Sequence, residues 1–153
     1  MNNLGFDELL GLVIKYLSYR PRSKKEIENY LSRKTSDQTL VDRVISKLES
    51  VKLLDDAAFA KWLVESRSRS RPRGARLLKQ ELKSKGITVD DEQIKVDEVE
   101  LAAQALQKKL RLWQNLPFRE FRVKAGRFLA YRGFSWSAIE TVVKKEYNNI
   151  NVK

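Results

Sequence analysis

Apolar residues along this chain recur every three or four positions rather than every second one. Leu40, Val41, Val44, Ile45 and Leu48 form one such stripe, and Ile139, Val142, Val143 and Tyr147 form another. That period places the apolar side chains on one face of an α-helix. Three prolines interrupt the pattern, Pro21, Pro72 and Pro117, spaced 51 and 45 residues apart. Each follows one amphipathic segment and precedes another. Proline breaks a helix interior but is tolerated at or before a first turn, so each is expected in the turn between two helices.

The segments after the prolines superpose. Leu31, Leu82 and Leu129 are each followed three residues later by a base, Lys34, Lys85 and Arg132. In the last two segments a glycine and an apolar residue come next, Gly86-Ile87 and Gly133-Phe134. Glycine just past a helix adopts the left-handed cap conformation, and the apolar residue after it closes on the last turn. The base sits at the negative end of the helix dipole. A third helix follows in the first and last units. The middle unit has instead a longer turn, Thr88 to Gln93, and a weak stripe around Ile94, so its third helix is expected to be short. The pattern predicts an all-α chain: three three-helix, helix-turn-helix-like repeats at about 5–50, 55–96 and 97–148.

Helix starts agree with this division. Ser23-Lys24-Lys25-Glu26 has the form of a capping box, and Asp97 to Glu100 and Ser137 to Glu140 look alike. Asp55-Asp56 opens the stripe Phe59, Trp62 and Leu63. That acidic pair and Asp90-Asp91-Glu92 are expected to cap helix amides rather than to hold a divalent metal, which needs acids converging from several elements.

Composition narrows the chemistry. There is no cysteine and no histidine in the 153 residues, which excludes disulfides and thiolate sites and removes most hydrolase and transferase designs. Arg71-Pro72-Arg73-Gly74 is too short for a phosphate-binding loop and lacks its lysine. No apolar run is long enough to span a bilayer and no signal segment is visible at Met1–Asp7, so a cytoplasmic, non-enzymatic monomer without cofactor or metal is expected. The net charge is +11, and it is uneven: residues 101–153 hold 11 basic and 3 acidic side chains. A surface of this kind favours polyanions or an acidic groove.

The densest basic run is Arg67, Arg69, Arg71, Arg73 and Arg76. Its alternation with serine allows no apolar stripe, so it is expected outside the core and is the first candidate contact surface, since guanidinium forks suit phosphate and carboxylate. Arg122, Lys124, Arg127 and Arg132 in the third repeat, and Arg20 and Arg22 beside Pro21, complete the candidate set. Tyr19 and Tyr131 could stack on exposed nucleotides beside these arginines, but burial at stripe and cap positions is the stronger expectation, as is core or inter-repeat packing for Trp62, Trp113 and Trp136. Exposed polar residues of the third helices, Asp42, Arg43 and Lys47, and Lys144 and Lys145, suit phosphates more than base edges.

Several stretches then match a known family: Tyr16 to Ser23 with Glu26; Leu54-Asp55-Asp56-Ala57-Ala58-Phe59-Ala60 with Arg67; Gly74 with Glu81-Leu82-Lys83-Ser84-Lys85-Gly86-Ile87; Lys108-Lys109; and Phe128 to Ser135. On these the chain resembles, nearly end to end, the RecX regulators. Thr35 in place of a cap glycine and Trp136 in a usually polar turn are its departures. The resemblance implies a curved tandem of three-helix units that binds the RecA filament on single-stranded DNA, lies in its groove and restrains its ATPase and strand exchange. It implies no catalytic residue. The alternative is a helix-turn-helix-like protein that binds DNA directly, and weak direct DNA contact is compatible with either.

Overall fold

The computed structural model describes residues 4–90 and 93–151. Among them the chain forms eight α-helices and no strand: α1 Phe6–Tyr19, α2 Lys24–Ser32, α3 Gln38–Ser50, α4 Asp56–Ser70, α5 Ala75–Ser84, α6 Glu98–Trp113, α7 Phe118–Tyr131 and α8 Trp136–Asn151. Pro21, Pro72 and Pro117 lie between α1 and α2, α4 and α5, and α6 and α7, as the proline spacing predicts. Among the described residues, the stretch between α5 and α6 carries only a 3₁₀ position at Gln93. Asp91 and Glu92, part of the expected acidic cap there, lie outside the described residues.

The chain packs as two compact units. One comprises the residues up to Leu63 together with Leu82–Ile87, the other Val64–Glu81 together with the residues from Thr88 on. In the first, α1, α2 and α3 enclose Leu9, Val13, Ile27, Leu31, Val44 and Leu48, none of them exposed. In the second, α6, α7 and α8 enclose Ala102, Leu106, Phe121, Ala125, Leu129 and Val142. Leu31, Leu82 and Leu129 are all buried, which the superposed repeats require.

Local chemistry sets the helix ends. Ser23 closes a complete capping box with Glu26 at the start of α2, and Asp37 and Asp97 accept amide hydrogen bonds at the starts of α3 and α6. Asp55 caps α4 by accepting from Ala57 N and Ala58 N, whereas Asp56 accepts from the amide of Lys24. One expected cap moves: α8 begins at Trp136, and the hydroxyl accepting from Ala138 N is that of Ser135, not Ser137. Gly133 ends α7 so abruptly that the next helix starts two residues earlier than the Ser137–Glu140 pattern implies.

At the other ends, α5 and α7 finish with Gly86 and Gly133 at φ +82° and +87°. Ile87 N then donates to Leu82 O at 2.9 Å and Phe134 N to Leu129 O at 3.2 Å, the closure read from the sequence. Thr35, standing where a glycine would, keeps the helical bond from its amide to Leu31 O at 3.0 Å and accepts from Asp37 N through its hydroxyl. The first repeat thus turns without a left-handed residue at that point. After α3 the left-handed position falls on Lys52, φ +60°.

The aromatic expectations are corrected in part. Trp62 and Trp113 are half-buried, but Trp136 is 59% exposed because it occupies the first turn of α8 on its outer side. Tyr19 and Tyr131 are 73% and 84% exposed. Both lie in the last turn of a helix whose buried stripe runs along the opposite side.

Candidate functional site

In the second unit two turns bring basic residues together. α4 continues through its arginine–serine alternation to Ser70, with Ser68 and Ser70 donating back to the carbonyls of Val64 and Ser66 at 2.8 and 3.1 Å. Pro72 then ends the rise, and Gly74 N donates to Arg132 O at 2.9 Å. The approach is so close that a Cβ on Gly74 would lie 2.2 Å from the Gly133 carbonyl oxygen. Arg76 spans the same junction, donating to Ala130 O at 2.9 Å. Glu98 joins the starts of α5 and α8 by accepting from Ala75 N at 3.0 Å and Ser135 N at 3.3 Å. The turn after α4 and the turn after α7 are therefore docked on each other through backbone contacts.

This junction divides the arginine run by role. Arg67 grips the Glu81 carboxylate through two nitrogens, with its Nε 2.9 and 3.1 Å from the two oxygens, and Arg73 donates to the same carboxylate at 3.0 Å. Burial works to raise the Glu81 pKa, but hydrogen bonds and charge from Arg67 and Arg73 outweigh it and hold the carboxyl below its ordinary range. The same contact raises the pKa of Arg67. The expectation that nothing in the run belongs to the packed interior is thus corrected: Pro72 and Gly74 are buried, and Arg67 and Arg73 are half-buried partners of an internal carboxylate.

Arg71 and Arg76 stay exposed. Arg132, half-buried, has its pKa lowered first by burial and then by the positive charges of Arg71 and Arg73. Arg71, Arg73, Arg76 and Arg132 thus crowd one edge of the unit, with the exposed ring of Tyr131 beside them. Among the described residues, only Arg73 of the four is paired with an acid. Cations close enough to disfavour one another's charge form a site that gains from an anion.

The other candidates fall elsewhere. Arg69 lines a separate groove with Glu65, Asp97 and Glu100, so its surroundings are mixed in sign. Arg122, Lys124 and Arg127 are exposed along α7, and Arg122 reaches Glu140 at 3.4 Å. Arg20 and Arg22 belong to the first unit and are engaged there. Arg20 bonds Glu26 at 2.5 and 3.2 Å. Arg22 lies 3.9 Å from the centre of the Tyr16 ring, which stacks in turn on Tyr30. Burial pushes the Glu26 pKa up, but Arg20, the Ser23 amide and Lys85, 3.4 Å away, bring it below normal. The sequence missed Arg119, Phe118 and Val123, which share an exposed side of α7 with Arg122 and Arg127. Phe118 and Val123 are apolar positions off the buried stripe, a signal the sequence does carry.

Comparison with known proteins agrees with the all-helical fold. Residues 11–48, 55–94 and 96–143 match the profiles of RecX, first, second and third three-helix domains. The regulatory protein RecX of Pelodictyon phaeoclathratiforme is 34% identical over 138 residues, covering 88% of this chain and 86% of that protein. The RecX proteins of Bacillus pumilus and Bacillus subtilis are each 32% identical, covering 88% and 95% of this chain, which spans only 54% and 56% of their length. A crystal structure of regulatory protein RecX aligns with a TM-score of 0.74 at 26% identity, covering 90% of this chain and 72% of that one. The RecX crystal structure from Lactobacillus salivarius shares the fold, with a TM-score of 0.79 at 24% identity and coverage of 94% and 97%.

Proposed function

Because the chain belongs to the RecX family of regulatory proteins, we propose that it binds the RecA filament on single-stranded DNA and restrains its ATPase and strand exchange, as a cytoplasmic, non-enzymatic modulator. The observation that carries the reading is the edge where Arg71, Arg76 and Arg132 crowd together without an acidic partner among the described residues. Such an edge suits a groove formed by acidic protein and nucleic acid. Arg67 and Arg73 hold the edge in place through Glu81 and are not its contact groups. The three repeats, 5–50, 55–96 and 97–148, are proposed as the units that follow the groove.

The test is RecA ATPase on single-stranded DNA at fixed salt. Arg71→Ala with Arg76→Ala should weaken inhibition about two- to thirtyfold, the range for losing two exposed ion pairs. Lys144→Ala with Lys145→Ala, the same charge change on exposed positions of α8, should inhibit like the unchanged chain. The opposite ranking of the two double variants would place the contact elsewhere.

A further inference from the structure

Helix α7 is apolar on two sides. Phe121, Ala125 and Leu129 face the core, yet Phe118 and Val123 are 36% and 47% exposed. With Trp136, Gly126 and Ala130 they line a groove of about 560 Å³. Arg119, Arg122 and Arg127 stand around it, and among the described residues only Arg122 has an ion-pair partner, the half-buried Glu140. The groove lies wholly within the second unit.

Gly126 is the telling residue. A glycine inside a helix is unfavourable against alanine, and the fold does not demand one here: φ is not left-handed, and an added Cβ would meet only Ile139 at 3.9 Å, an ordinary contact. Gly126 instead lines the groove without a side chain of its own.

We propose that this groove is a docking site for an acidic amphipathic segment, one that presses aliphatic or aromatic side chains between Phe118, Val123 and Trp136 while its carboxylates meet the arginine rim. Charge complementarity selects an acidic partner, and the convergence of apolar walls on one concavity selects apolar anchors. Single-stranded nucleic acid would use flat rings laid out along a charged track, whereas here Phe118, Val123 and Trp136 line one concavity together with the small residues Gly126 and Ala130. The proposal does not depend on the filament reading, since it is tested without RecA.

The probe is a fluorescein-labelled 14-residue synthetic peptide with leucines at helical spacing and glutamates between them. Its control has the same composition scrambled to remove the apolar face, and a 12-nucleotide oligodeoxythymidylate serves as competitor. Fluorescence anisotropy should show the amphipathic peptide binding at least about tenfold more tightly than the scrambled one, as expected when a buried anchor is lost. Gly126→Ala should keep a Tm at or above that of the unchanged chain and weaken the peptide about tenfold by adding a side chain to the groove lining. Val123→Glu and Arg127→Glu should weaken it at least as much with unchanged circular dichroism. Equal binding of the scrambled peptide, full affinity in folded Gly126→Ala, or displacement by the oligonucleotide with the same sensitivity to Gly126→Ala would each overturn the proposal, the last in favour of base stacking.

Discussion

At the scale of single residues, two carboxylates do unequal work to their neighbours. Glu81 and Glu26 are each held ionised against burial by arginines and, for Glu26, a lysine and a backbone amide. Both have pKa values depressed in the folded chain, so their contribution is complete above the ordinary carboxylate value and is lost as pH falls through the lowered one. Thermal melts taken between pH 7 and pH 3 should therefore show acid destabilisation that is smaller in Glu81→Gln than in the unchanged chain. At pH 7 the same variant should be less stable by about 1.5–3 kcal/mol, the range for hydrogen bonds to a charged group. Lys52 works in the other direction. Its left-handed backbone, φ +60°, suits glycine, and Lys52→Gly should stabilise by about 0.5–1 kcal/mol in chemical denaturation.

At the scale of elements, the helix pairs are built on one plan, and the docked turns show where that plan is intolerant. Leu→Ala at Leu31, Leu82 or Leu129 should each cost about 2–5 kcal/mol, because each is buried in the last turns of the helix that follows a proline turn. Gly74→Ala addresses the junction itself. Its methyl group would meet backbone, the Gly133 carbonyl, which cannot rotate away as a side chain would. A loss of about 1–3 kcal/mol is expected, and, on the proposed function, weaker inhibition of RecA as Arg71 and Arg132 move apart. Thermal melts and the ATPase assay on the same preparation check both outcomes. Helix α4 also stays helical through a run with no apolar stripe, and Arg67 anchors its end to Glu81.

At the scale of the whole molecule, no helix among the described residues is long and apolar enough to cross a membrane, and positive charge is concentrated in the last third. If the basic edge meets a filament that includes protein contacts, association with RecA-coated DNA should fall less steeply with salt than association with naked DNA, whose salt dependence comes from counterion release. Titrations of both at several salt concentrations check this, and parallel slopes would count against a protein contact.

The sequence alone determined the eight observed helices, their order, the proline turns, the equivalent leucines and most of the caps. These depend on spacing within a few residues, where the 3.6 period and the cap chemistry act directly. The short third helix expected around Ile94, by contrast, shows only a 3₁₀ position at Gln93 among the described residues. It also singled out the arginines by density. Only the tertiary structure decided which arginines are spent inside and which remain available. Arg67 and Arg73 are drawn in by Glu81, 14 and 8 residues along the chain, and Arg71 is crowded against Arg132, which no local pattern announces. The exposure of Trp136 and Tyr131 was decided the same way. A ring on a helix is buried or free according to what packs over that side, and that is set by elements far away in the chain.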